Sequence, residues 1–186
     1  IPHPLLSYWA FGIYAVLAIL GVYVFIKHRV QKQKHELEEE RRIKELKQAR
    51  DFQMSLIPQT APEHPDYDFA FHMKTSTEVG GDYYDFFLQD DGTLYIVVGD
   101  ATGHGLNAGM MVSITKAGLF GSDFGSPDIT TSRLNQTIKA IDLGTTRMSL
   151  NMAKFNKSSF DFTSAGMPPA YLYHGDTGVV DEILIP

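Results

Sequence analysis

Two apolar runs, residues 82–88 and 93–99, stand on either side of Asp90-Asp91-Gly92. No other feature constrains the fold as much, because this one specifies a β-hairpin and its register together. A three-residue loop of this kind puts its glycine in the left-handed position. Gln89 then faces Thr93, Leu88 faces Leu94, Phe86 faces Ile96, Tyr84 faces Val98 and Asp82 faces Asp100. The apolar-rich pairs all fall on one face, as a buried face demands, and a slip of one residue would destroy that agreement.

The register has a chemical consequence. Asp82 and Asp100 are expected opposite each other at the end of a core-facing row, with Cβ atoms about 5 Å apart. Two poorly solvated carboxylates at that distance repel, so either one is protonated or a cation lies between them. Hard divalent ions such as Mg²⁺ and Mn²⁺ take oxygen ligands of this type. Gly80 and Gly81 lead into Asp82 and leave room for water and substrate. Gly103 and Gly105 bracket His104 and turn the chain sharply beside Asp100, where the carbonyl of Ala101 can face the same ion. The alternative is a pair of strand-end carboxylates facing water. His104 reads either as a catalytic group or as a helix-start residue with no role. Glu78 and Asp85 read either as supporting groups or as surface charges. Strand alternation sends Asp85 to the face opposite Asp82, which argues against ligation.

Around the hairpin, further strands are expected over 67–73, 148–155, 160–164, 170–173 and 179–185. Helices are expected over 106–120 and 127–141, the second with Ser126 as N-cap and Pro127 at its first position. Strands, then helices, then strands point to an α+β domain with antiparallel sheets. The chain has no cysteine, which excludes disulfides, thiolate zinc sites and a thiol nucleophile. Residues 51–186 carry a net charge of −10, so the face that nucleic-acid binding needs is missing and no nucleic-acid partner is expected. Gly103-His104-Gly105 lacks the Lys-Ser/Thr of a phosphate-binding loop, and no Gly-x-Ser-x-Gly turn occurs.

The first 50 residues differ in kind, with a net charge of +4. Residues 5–26 form a run of 22 without charge. As a helix it is about 33 Å long, against a hydrocarbon core of about 30 Å. Lys27, Arg29, Lys32 and Lys34 follow it directly, so what comes after is expected on the cytoplasmic side of an inner membrane crossed once. Residues 27–58 read as a polar helix ended by Pro58, with Glu38–Arg42 and Glu40–Lys44 as i,i+4 pairs. It is either a solvated single helix or a stalk that pairs two copies into a homodimer. The expected divisions are 1–4 as an extracytoplasmic remnant, 5–26 as the span, 27–58 as the stalk, 59–66 as a linker and 67–186 as the soluble domain. A start at Ile1 suggests a fragment.

Glu-Val-Gly-Gly-Asp-Tyr-Tyr-Asp at 78–85 and Gly-Asp-Ala-Thr-Gly-His-Gly at 99–105 resemble the metal-dependent protein serine/threonine phosphatase superfamily. The nearer likeness is to its bacterial SpoIIE-like branch, which includes phosphatases acting on anti-sigma factor antagonists. Phe52-Gln-Met-Ser-Leu-Ile-Pro58, Leu134-Asn135 and Ser164-Ala-Gly-Met-Pro-Pro169 are similar to that branch as well, so the resemblance covers about 49–185. It implies an αββα sandwich, incomplete here, and a centre of two Mn or Mg ions. Asp82 would bridge both ions, and Asp100 would hold one with the carbonyl of Ala101. Glu78, Gly81 and His104 would stand behind these ligands, and a metal-activated water would be the nucleophile on phosphoserine or phosphothreonine. The family's late Ser/Thr-Asp-Gly turn does not occur, and neither Asp176 nor Asp181 matches it. A domain cut short at its C-terminus is therefore expected, with weak or no activity in this chain and ordinary activity in the intact parent. Two other readings stand beside the phosphatase: a non-catalytic signalling relay with a degenerate fold, and a nucleotide cyclase.

Overall fold

The computed structural model describes residues 8–74, 79–157 and 159–185. The chain divides into two compact units, 1–45 and 46–186. Helix α1, Tyr8–Leu56, passes through the division. In the first unit its apolar side chains are exposed: Trp9 is 85% and Ile19 70% accessible. It is long and apolar enough to cross a membrane by length and composition. Residues 1–7, which hold the expected remnant and the first part of the expected span, lie outside the described residues. The ion pairs on α1 are Lys32–Glu36 and Arg41–Glu45 rather than the two expected pairs. The i,i+4 spacing holds, but exposed pairs of this kind are worth only about 0.2–0.5 kcal/mol, too little to choose between neighbouring partners.

The second unit is α+β with antiparallel sheets, as expected. Its main sheet has the order β1-β2-β3-β4, from Asp82–Leu88, Leu94–Ala101, Met148–Asn156 and Ser159–Ala165. A separate two-stranded sheet pairs β5, Ala170–Tyr173, with β6, Val180–Ile183. Helices α2, Leu106–Phe120, and α3, Pro127–Ile141, run between β2 and β3 with the bounds the sequence implies. Pro127 opens α3, although the Ser126 side chain makes no capping bond.

Every register pair read from the turn is present. Gly92 has φ 81°, Gly92 N–H donates to Gln89 O at 3.0 Å, and Gln89 N–H donates to Thr93 O at 2.9 Å. Asp82 stands opposite Asp100. β2 runs past the expected end at Gly99, because β3 offers Ser149 and Met148 as partners for Asp100 and Ala101.

The core lies on the sheet face that carries Tyr83, Tyr95, Val97, Leu150 and Met152, against Met111, Val112 and Leu119 of α2 and Leu134 of α3. Full burial of a side chain of this size is worth roughly 1.5–3 kcal/mol. Gly118 lets the two helices close up, since a Cβ there would lie 2.9 Å from Leu134 Cδ1. The row of Asp82 is therefore not the deeply buried one that the register argument assumed. Its face is covered at Leu94, which is fully buried, and at Phe86 and Ile96, which are half-buried, whereas Leu88, Val98, Asp100 and Asp82 are exposed.

Part of that cover comes from residues 67–73, which form no strand. Phe69 and Phe71 pack at a tilt against Phe86, with ring centroids 5.6 and 5.7 Å from it, and Tyr67 meets Phe155 at 5.3 Å. The alternation of aromatic residues is used for side-chain packing, without a hydrogen-bonded ladder.

Asp85 does point away from Asp82. It is 3% exposed and sits between β1 and α2, paired with the Lys116 ammonium. It also accepts from Tyr83 OH at 2.7 Å and from Phe86 N–H at 2.9 Å. Burial, and then the Asp85 charge, push the Tyr83 hydroxyl far above the usual tyrosine range, so it remains a donor. Asp85→Ala is expected to lower stability by about 2–3 kcal/mol, less than the loss for a fully enclosed pair because Lys116 can still reach water. Thermal unfolding checks this, and adding Lys116→Met should recover part of the loss.

Candidate metal centre

The candidate centre is built where three strands lie side by side. Asp82 of β1 faces Asp100 of β2, which faces Ser149 of β3. The Ser149 hydroxyl donates to the backbone carbonyl of Asp100 at 2.9 Å and steadies that strand end. Ala101 N–H donates to Gly81 O at 2.9 Å, which carries the β1–β2 ladder one step beyond Asp82.

Gly81 tests whether the oxygens converge. A Cβ placed there would lie 2.4 Å from the carbonyl oxygen of Ala101 and 3.0 Å from Asp100 Oδ1. Both oxygens thus border one small space that a side chain would fill, at the residue that precedes Asp82. Carboxylate and carbonyl oxygens are hard donors of the kind that Mg²⁺ and Mn²⁺ prefer, so Asp100 and Ala101, with Asp82 across the ladder, fit such an ion. Among the described residues no group of three or more His, Cys, Asp or Glu side chains gathers at one point.

Both carboxylates are exposed, and water weakens their mutual repulsion. The expectation that burial forces either a proton onto one of them or a cation between them is corrected accordingly; the convergence of the Asp100 and Ala101 oxygens at Gly81 carries the fit instead. The pair opens into a cleft of about 660 Å³, also lined by Phe71, His72, Lys74 and Tyr84. His104 lies in the exposed loop between Gly103 and Gly105, whose φ values are 85° and 80°, and makes no hydrogen bond among the described residues. Glu78 lies outside the described residues.

Gln53 was missed by the sequence reading. It is 4% exposed, donates from Nε2 to Gly80 O at 2.6 Å, and accepts from Gly80 N–H at 3.1 Å. A signal was there: Leu46, Ala49, Gln53 and Ile57 share one helix face, and a lone amide in such a stripe asks for a partner.

The SiaA-PP2C domain of Pseudomonas aeruginosa superposes with a TM-score of 0.64 at 22% identity, over 78% of this chain and 60% of that one. The class is thus the PP2C-type α+β fold. The family model for Stage II sporulation protein E (SpoIIE) matches residues 90–184, and the chain belongs to this phosphatase family. That match contains Asp100, Ala101 and His104, while Glu78, Gly81 and Asp82 precede it. Protein IcfG of Synechocystis sp. is 30% identical over 73 residues, which is 39% of this chain and 12% of IcfG. The RsbU and RsbW domains of Rv1364c from Mycobacterium tuberculosis align with a TM-score of 0.49 at 23% identity, over 60% of this chain and 32% of that one. The chain thus spans about an eighth of the curated relative it matches.

Gly81→Ala is the sharpest test of the geometry. The backbone oxygen of Ala101 cannot yield as a flexible side chain would, so overpacking should cost about 1–3 kcal/mol. A melting temperature equal to that of the unaltered protein would show that the strands do not approach so closely.

Proposed function

We propose that this chain is part of a membrane-anchored, metal-dependent phosphoprotein phosphatase that hydrolyses phosphoserine or phosphothreonine on a small protein regulator. The observation that carries the reading is the convergence of Asp100 Oδ1 and the Ala101 carbonyl on the space beside Gly81, with Asp82 directly across the ladder. In this reading Asp82, Asp100 and the Ala101 carbonyl hold a Mn or Mg ion. Such an ion supplies Lewis acidity, activating water and neutralising phosphoryl oxygens. The chain's own part is positional: two opposed strand ends fix the carboxylates, and the open cleft admits a phosphorylated segment. Lys74 and His72 on the cleft wall offer donors to its phosphoryl group. The second ion implied by the family needs oxygen donors beyond these three. Glu78 and His104 act as supporting groups.

The membrane part of the reading rests on α1. Its uncharged run crosses the inner membrane once, and the basic residues after it keep the phosphatase domain, 67–186, in the cytoplasm. In this reading 1–4 lies on the far side of the membrane, 5–26 spans it, 27–58 is a stalk that pairs two copies and 59–66 is a linker. An anti-sigma factor antagonist is the kind of regulator that the family resemblance favours.

Titration of the purified full chain with Mn²⁺ reads the centre directly. Asp82→Asn and Asp100→Asn should each weaken binding by more than about a hundredfold, beyond the effect of losing an outer partner. Unchanged affinity in either variant would remove that residue from the centre. Phosphate release from a phosphoserine peptide separates the enzyme from the relay: a relay would show no Mn²⁺-dependent turnover in the intact protein.

A further inference from the structure

We propose that Gln53 is a positioning residue for the metal centre: its carboxamide grips the backbone of Gly80 and thereby sets where Asp82 stands. This rests on the reading of Asp82 and Asp100 as metal ligands.

The segment that leads into Asp82 is weak by itself. Gly80-Gly81 enters β1 directly before Asp82, and glycine has more backbone freedom to lose than any other residue. Left alone, such a pair would let the first residue of β1 wander. Three successive residues are instead tied to three different elements. Val79 O accepts from Gly105 N–H, at the start of α2, at 3.0 Å. Both polar backbone atoms of Gly80 are bound by the Gln53 amide, at 2.6 and 3.1 Å. Gly81 O accepts from Ala101 N–H of β2 at 2.9 Å. The planar amide of Gln53 thus does for Gly80 what a neighbouring strand does for a residue inside a sheet.

The surroundings make room for this contact. Gly109 of α2 lies over it, and a Cβ there would stand 2.5 Å from Val79 Cγ1 and 3.7 Å from Gln53 Cδ and Nε2. Packing alone would favour an apolar residue at position 53, since burying an amide is costly unless both its ends are bonded. Both ends are bonded here, and to a single residue, Gly80, two positions before Asp82.

The test uses the full chain and Mn²⁺ alone as probe. Gln53→Met keeps the size and removes both hydrogen bonds. We expect its melting temperature to stay within a few degrees of the unaltered protein. Its Mn²⁺ dissociation constant should rise about tenfold, the scale of losing a group that orients a ligand. Amide exchange at Gly80 and Gly81, measured without metal, should speed up. Gln53→Glu keeps the acceptor for Gly80 N–H and loses the donor, so its affinity should fall between the two and serves if Gln53→Met does not fold. Equal Mn²⁺ affinity in a folded variant would reduce Gln53 to a packing residue and overturn the proposal. So would exchange at Gly80 in the unaltered protein as fast as at Gly103 in the exposed loop. Failure of the unaltered protein to bind Mn²⁺ would instead sink the reading of the centre, and this proposal with it.

Discussion

The β1–β2 register is the constraint on which the rest of the second unit depends. It is set by a turn at the far end of the hairpin from the carboxylates. Gly92 takes the positive φ that the turn requires, and the Asp91 carboxylate accepts from Thr93 N–H at 2.8 Å. That bond holds the Asp91 carboxyl below the usual range. Side chains alternate strictly along a strand, so a slip of one residue would exchange the two faces. Asp82 would turn towards the helices and Asp85 towards the cleft. The register is held from the other face as well, because Asp85 meets Lys116 and Tyr83 beneath α2 in this pairing. A surface turn and a buried polar cluster therefore specify the same alignment independently, and the opposition of Asp82 and Asp100 follows from it.

Much of this was legible in the chain because turn chemistry and period-two patterning act locally. Asp90-Asp91-Gly92 named the turn, the flanking residues named the faces, and Pro127 marked the start of α3. Other features depend on what a face meets, which local pattern does not encode. Residues 67–73 alternate as a strand does, yet they spend that alternation on tilted ring contacts with Tyr84 and Phe86. The acidic ends of β1 and β2 looked buried because their row is apolar elsewhere, although the aromatic cover stops short of them. Gln53 could be found only by asking what a polar residue does inside an apolar helical stripe, since its partner lies 27 positions away.

The separation between scaffold and site has a physical reason. An ion held by hard oxygens leaves little tolerance in the positions of its ligands, while glycines next to those ligands are needed for space. At Gly81 the space is obligatory, because any side chain would strike the Ala101 carbonyl. Rigidity must then come from groups that take no part in ligation. Here they are backbone donors of β2 and of the loop before α2, together with one side chain near the end of α1. Each element touches a different residue of Val79-Gly80-Gly81, so no one of them can shift without changing the path into Asp82. The geometry of the carboxylate pair is in this sense a property of the packing among α1, α2 and the hairpin, and the two aspartates report on contacts that lie outside the cleft they line.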